Sequence, residues 1–100
     1  MMNKEISVSA KTMKILNNGC WAEVGFLNSV HNAVLGNINS LSRNRQYTAK
    51  RICGEEFWSQ LDDGTRRTAG WCVSHLVATQ QVPLIYVGKD SENAKKYQRV

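Results

Sequence analysis

Between residues 20 and 42, Trp21, Val24, Leu27, Val30, Val34, Ile38 and Leu41 follow one another at spacings of three and four. That repeat is one face of a helix. It predicts a long amphipathic helix over 20–42, with Leu35 widening the apolar stripe. Gly25, Asn28, Ser29, Asn32, Gly36, Asn39 and Ser40 make up the opposite side. These are weak helix formers, so packing has to hold the helix together. So small a face also admits a close neighbour, and a homodimer contact stands there beside a plain solvated surface.

Residues 42–47 read as a polar, basic connection. Thr48 then suits an N-cap. Ile52, Cys53, Phe57, Trp58 and Leu61 fall on one side of the segment that follows, and Gly54 interrupts or divides it. Glu55 and Glu56 fit a first helical turn, where the dipole favours negative charge. Asp62-Asp63-Gly64 is a tight-turn signal. Thr65 reads as the N-cap of another helix, reaching Gln81 before Pro83 stops it. In that helix Ala69, Cys72, Val73, Leu76 and Val77 face inward. Arg66, Arg67, Gly70, Trp71, Ser74, His75, Ala78 and Thr79 face outward, with His75 read as a surface histidine.

Residues 84–87 are rich in β-formers and end at Gly88, and 94–100 returns as an antiparallel partner. The connection is too long for a two-residue turn, so the register stays open. Residues 1–17 are open between a strand, from the alternation of Ile6, Val8 and Ala10, and a helix starting at Met13, Ile15 and Leu16. Asn17-Asn18-Gly19 is a turn.

One hundred residues suit a single domain. The net charge of +5 is uneven: residues 43–100 carry ten basic groups against six acidic ones. Such a domain attracts polyanions, nucleic acid first among them. Cys20, Cys53 and Cys72 are odd in number and lack CxxC spacing, which speaks against a disulfide framework or a zinc knuckle. A reducing, cytoplasmic setting follows. The first residues lack the apolar core of a signal peptide, and no run approaches a membrane span. No catalytic motif is present. A domain of this size also offers little room for a deep pocket. The expectation is a non-enzymatic chain with no cofactor, no metal, no membrane partner and no evident small-molecule substrate.

The element order is long helix, helix, tight turn, helix, β-hairpin. Over roughly 46–100 it resembles the winged helix-turn-helix DNA-binding class. The string Tyr47-Thr48-Ala49-Lys50-Arg51-Ile52-Cys53-Gly54 with Phe57-Trp58, then Gly64-Thr65-Arg66-Arg67-Thr68-Ala69-Gly70 and Pro83-Leu84, is similar to small uncharacterised bacterial proteins of that type. The resemblance implies a mainly α fold with a C-terminal β-hairpin. Its single domain, 1–100, would comprise an N-terminal segment (1–19), the long helix (20–42), a helix-turn-helix (48–81) and a wing (84–100). The leading helix is longer than such a domain requires. The helix at 65–81 would enter the major groove.

On that reading Arg66, Arg67, Ser74 and His75 meet base edges, with Trp71 on the same DNA-binding face. Arg43, Arg45 and Lys50 near the connection, and Lys89, Lys95 and Lys96 on the wing, meet phosphates. The residues carry part of this without any family. Arginines at a helix N-terminus oppose its dipole, so a phosphate or guanine would explain Arg66 and Arg67. Pairing with Asp62, Asp63 or Glu55 would explain them too. Trp71 is open between a packed boundary residue and a DNA contact. Gly70 costs about 1 kcal/mol against Ala in a helix interior. Close approach of the preceding helix or of a DNA backbone would justify it. The expected function is double-stranded DNA binding by a small transcriptional regulator, with a homodimer as the natural binding unit. The alternative is a winged-helix protein-interaction module without DNA binding.

Overall fold

The computed structural model describes residues 12–100, and its first element is a strand. The alternation at Ile6, Val8 and Ala10 lies outside the described residues. Strand β1 (Met13–Ile15) pairs antiparallel with β2 (Trp21–Glu23). The turn between them contains Gly19 at φ +86°, a conformation that glycine adopts without steric cost. Ile15 lies opposite Trp21 and Lys14 opposite Ala22. One face of this hairpin therefore shows Met13, Ile15 and Trp21 to solvent, while Ala22 and the following Leu16 turn inward.

Helix α1 is Val24–Asn37, followed by a 3-10 turn at Ile38–Ser40. The apolar stripe behaves as its spacing predicts from Leu27 onward: Leu27, Val30, Val34, Ile38 and Leu41 are buried. The predicted bounds of 20–42 are wrong. At Trp21–Glu23 the backbone spends its hydrogen bonds on β1, and Val24 N–H donates to Thr12 O at 2.8 Å. Trp21 is 59% exposed and Leu35 is 44% exposed, so neither belongs to the buried stripe. A fourteen-residue helix removes the excess length expected of the leading helix.

The segment after Thr48 forms two short helices, α2 (Ala49–Cys53) and α3 (Glu55–Ser59). Gly54 separates them at φ +96°. The carbonyls that α2 leaves open at its end are taken by Asn37 of α1, whose Nδ2 donates to Arg51 O (2.8 Å) and Ile52 O (3.1 Å). Helix α4 spans Asp63–Ala78. Its N-cap is Asp62, not Thr65: the Asp62 carboxylate accepts the Thr65 N–H at 2.8 Å. The helix stops at Ala78, short of Gln81, and Gln80 takes a positive φ of 60°.

The second sheet has three strands in the order β3 (Gln46–Tyr47), β5 (Lys95–Arg99), β4 (Leu84–Lys89). Both pairings are antiparallel, with Tyr97 opposite Tyr47 on one side and Tyr86 on the other. A bulge lies between Tyr86 and Gly88. Gln46 and Tyr47, expected in a polar connection, are thus a strand, and Tyr47 is buried. The fold is α+β, with four α-helices and two small antiparallel sheets among the described residues. It is less purely helical than expected, and β-structure is not confined to a C-terminal hairpin.

Helices α1, α2 and α4 enclose the core with Tyr97 of β5. Val30, Val34, Ile52 and Val73 are each fully removed from solvent. Burial of this kind stabilises by about 1.5–3 kcal/mol per large aliphatic side chain.

Candidate functional site

Helical spacing puts Arg67, Trp71 and Ser74 on one stripe of α4, with Gly70 beside them. Strand β5 reaches this stripe at Ser74, where Lys95 Nζ donates to Ser74 Oγ at 3.4 Å. Ser74 is also hydrogen-bonded to Tyr97, whose hydroxyl burial holds above its ordinary pKa against that bond. The helix and the basic strand are therefore joined by a short polar chain: lysine, serine, tyrosine.

Between them lies a cleft of about 370 Å³. Thr48, Ala49 and Lys50 at the start of α2 form one wall, Trp58 of α3 and Trp71 of α4 another, and Ala94, Lys95 and Tyr97 the third. Gly70 also lines it, and a Cβ added there would meet nothing within 4 Å. The preceding helix does not press on Gly70, so close helix packing is not what the glycine serves. Trp58 stands in the cleft wall, half-buried, although its spacing with Phe57 and Leu61 reads as core. No local pattern announces this, because the walls come from four elements spread over residues 48–97.

The predicted site residues divide into groups. Arg67 is exposed and forms no ion pair among the described residues. Lys50 lies 3.9 Å from Glu55, with both side chains mostly in water; such a pair contributes little. Lys89 is exposed on β4. Lys96 reaches Asp90 at 4.0 Å across the β4–β5 connection. Asp90 in turn accepts the N–H groups of Glu92 and Ala94, which holds its carboxyl below the usual range and shapes the turn.

Arg66 behaves differently from its neighbour. Its Nε donates to Trp58 O at 3.2 Å, and its Nη1 lies 3.8 Å from Asp63. It braces the α3–α4 corner. Arg43 and Arg45 are not part of the α4 surface. Arg43 Nε donates to Val100 O, and Gln98 Nε2 donates to Arg43 O at 2.8 Å. That ties residues 42–45 to the far end of β5, about 13 Å along the strand from Lys95.

His75 is not a surface residue. It is 5% exposed, and its Nδ1 accepts the backbone N–H of Asn17 at 3.0 Å. Desolvation, then the charge of Lys14, holds its pKa below 6.5. The β1–β2 turn lies over this side of α4 and widens its buried arc, so His75 is unavailable to a ligand on the outer face. Cys53 and Cys72 are buried, which pushes their thiols up to about 12 and about 11. They stay protonated and serve as core groups rather than nucleophiles.

No helix among the described residues is long and apolar enough to cross a membrane. Among families, the model described as "Domain of unknown function (DUF1413)" matches residues 26–99. No curated protein and no solved structure matches the chain.

Proposed function

We propose, from the premise that the chain belongs to the DUF1413 family of domains of unknown function, that it is a winged helix-turn-helix protein that binds double-stranded DNA. The order α1, β3, α2–α3, α4, β4, β5, with β5 between β3 and β4, is the element order that such a fold has. Helix α4 is the recognition helix, and the β4–β5 hairpin is the wing. The reading rests on one observation: the Arg67–Trp71–Ser74 stripe, exposed at Arg67 and half-buried at Trp71 and Ser74, is joined to Lys95 of the wing through Ser74. A positively charged strand beside a helix that carries an exposed arginine is what a groove flanked by phosphates requires.

In this arrangement Arg67 and Ser74 meet base edges in the major groove. Lys50, Lys89, Lys95 and Lys96 meet phosphates. Arg43 and Arg45 form a second basic group that engages backbone farther along the duplex. Arg66 positions α4, and His75 makes no contact. The protein acts as a small cytoplasmic transcriptional regulator, two copies reading two half-sites.

The test is fluorescence anisotropy with a labelled random-sequence duplex at several salt concentrations. Micromolar binding that weakens steeply with salt is expected. Arg67→Ala should weaken it by about 1–3 kcal/mol and relax sequence preference. Lys95→Gln should weaken every sequence alike and flatten the salt slope by about one unit. Absence of binding even at low salt overturns the proposal.

A second reading has its own observation. Met13, Ile15 and Trp21 present an exposed apolar face on the β1–β2 hairpin, which suits a protein partner. Binding that is lost in Trp21→Ser and kept in Arg67→Ala would favour it.

A further inference from the structure

The cleft beside Gly70 has an aromatic lining that duplex binding does not use. Trp58, Trp71 and Tyr97 line it, and Lys50 and Lys95, the phosphate contacts proposed above, stand among its polar lining groups. Its volume of about 370 Å³ falls within the range of small-molecule sites, about 300–1,000 Å³. Gly70 contributes to that space: it is costly in the middle of a helix, and a side chain there would project into open volume.

We propose that this cleft binds a flat aromatic anion, a carboxylate or sulfonate carried on one or two fused rings. The ring packs against the half-buried tryptophans, whose faces favour flat partners in offset or edge-on contact. The acid group meets the ammonium groups of Lys50 and Lys95, where a charge-assisted hydrogen bond is about twice as strong as a neutral one. Neither lysine is held tightly within the domain. Lys50 has only a loose, exposed pair with Glu55 at 3.9 Å, and Lys95 holds a neutral hydroxyl at 3.4 Å. A neutral ring leaves both ammonium groups unused. This proposal does not depend on nucleic-acid binding.

The full chain is titrated with naphthoate, and with naphthalenemethanol as its uncharged counterpart, by intrinsic tryptophan fluorescence. Two of the three tryptophans line the cleft. Trp21→Phe removes the third as background. Naphthoate should bind saturably below millimolar concentration, and the alcohol about tenfold more weakly. Gly70→Leu should reduce naphthoate affinity more than about tenfold by filling the space, while its thermal midpoint holds or rises, because leucine is the better helix former. Lys95→Gln should weaken naphthoate about three- to tenfold and leave the alcohol unchanged. Non-saturable quenching, equal affinity for acid and alcohol, or Lys95→Gln binding naphthoate as tightly as the wild type each overturns the proposal. The last two comparisons hold whether or not Gly70→Leu folds.

Discussion

The two sheets are both small and antiparallel, yet they are held by different physics. In the three-stranded sheet β5 is paired on both sides, and its central Tyr97 is 2% exposed. Ties from distant backbone lock it further: Arg99 Nη1 donates to Leu41 O, Gln98 to Arg43 O, and Val100 N–H to Pro83 O. The β1–β2 hairpin is a two-stranded sheet among the described residues, with one apolar face in water. Among the described residues it is anchored by Leu16 and Ala22 in the core and by the Asn17 N–H bond to His75. A sheet anchored by buried aromatic surface is indifferent to mild acid. A sheet anchored through a neutral imidazole is not.

The sharpest way to break this comparison is Tyr97→Ala. It should cost about 3–5 kcal/mol in chemical denaturation, because a large buried ring is lost from the middle strand. The whole domain should become marginal. A loss under half of that would mean that the aromatic anchor is not what holds the larger sheet.

His75→Ala comes next, at about 1–3 kcal/mol, since the Asn17 N–H loses its acceptor. Amide exchange should speed up at residues 13–23 and stay slow along β3, β4 and β5. Equal acceleration in both sheets would show that they open as one unit.

Acid should mimic that substitution in the wild type. Burial and Lys14 hold the folded-state pKa of His75 below 6.5, so the unfolded chain takes the proton more readily. The stabilisation is complete above about pH 6.5 and drains as pH falls through that value toward the lower folded pKa. Protonated Nδ1 can no longer accept from Asn17. Protection of the amides at residues 13–23, relative to their intrinsic exchange rates, should therefore fall as pH drops below about 6.5, and His75→Ala should abolish the dependence. The smallest expected effect is Trp21→Ser, within about 0.5 kcal/mol, because that ring is already in water. A larger loss would mean that the exposed face of the hairpin packs on something in solution.

Much of the helical core was legible. Leu27 to Leu41, and Ala69 to Val77, show their period directly, and both stripes are buried as spaced. The failures share a cause. Strands of two or three residues, such as β2 and β3, are too short to display alternation. Trp21 also sits three residues before Val24 and so extends the helical row by coincidence. Leu35 lies at the edge of the α1 stripe, where nothing packs against it. His75 was misread because its burial is imposed from outside α4, by a turn nearly sixty residues earlier. Arg66 and Arg67 are alike in sequence and part only when the α3–α4 corner claims one of them. The aromatic cleft was invisible for the same reason as the buried imidazole: no single segment contains it.

The position of β5 has a kinetic consequence. Tyr47 and Tyr97 are partners across half the chain. Closing so long a loop costs entropy before any ladder bond repays it. The helices rest on contacts nearer in sequence and can condense first. On a ribosome, β3 and β4 then wait with bare edges until Lys95–Arg99 has emerged to fill the space between them. In that interval two unpaired strands are available to other chains. The residues that complete the proposed wing also end the period in which a nascent domain is most prone to aggregate.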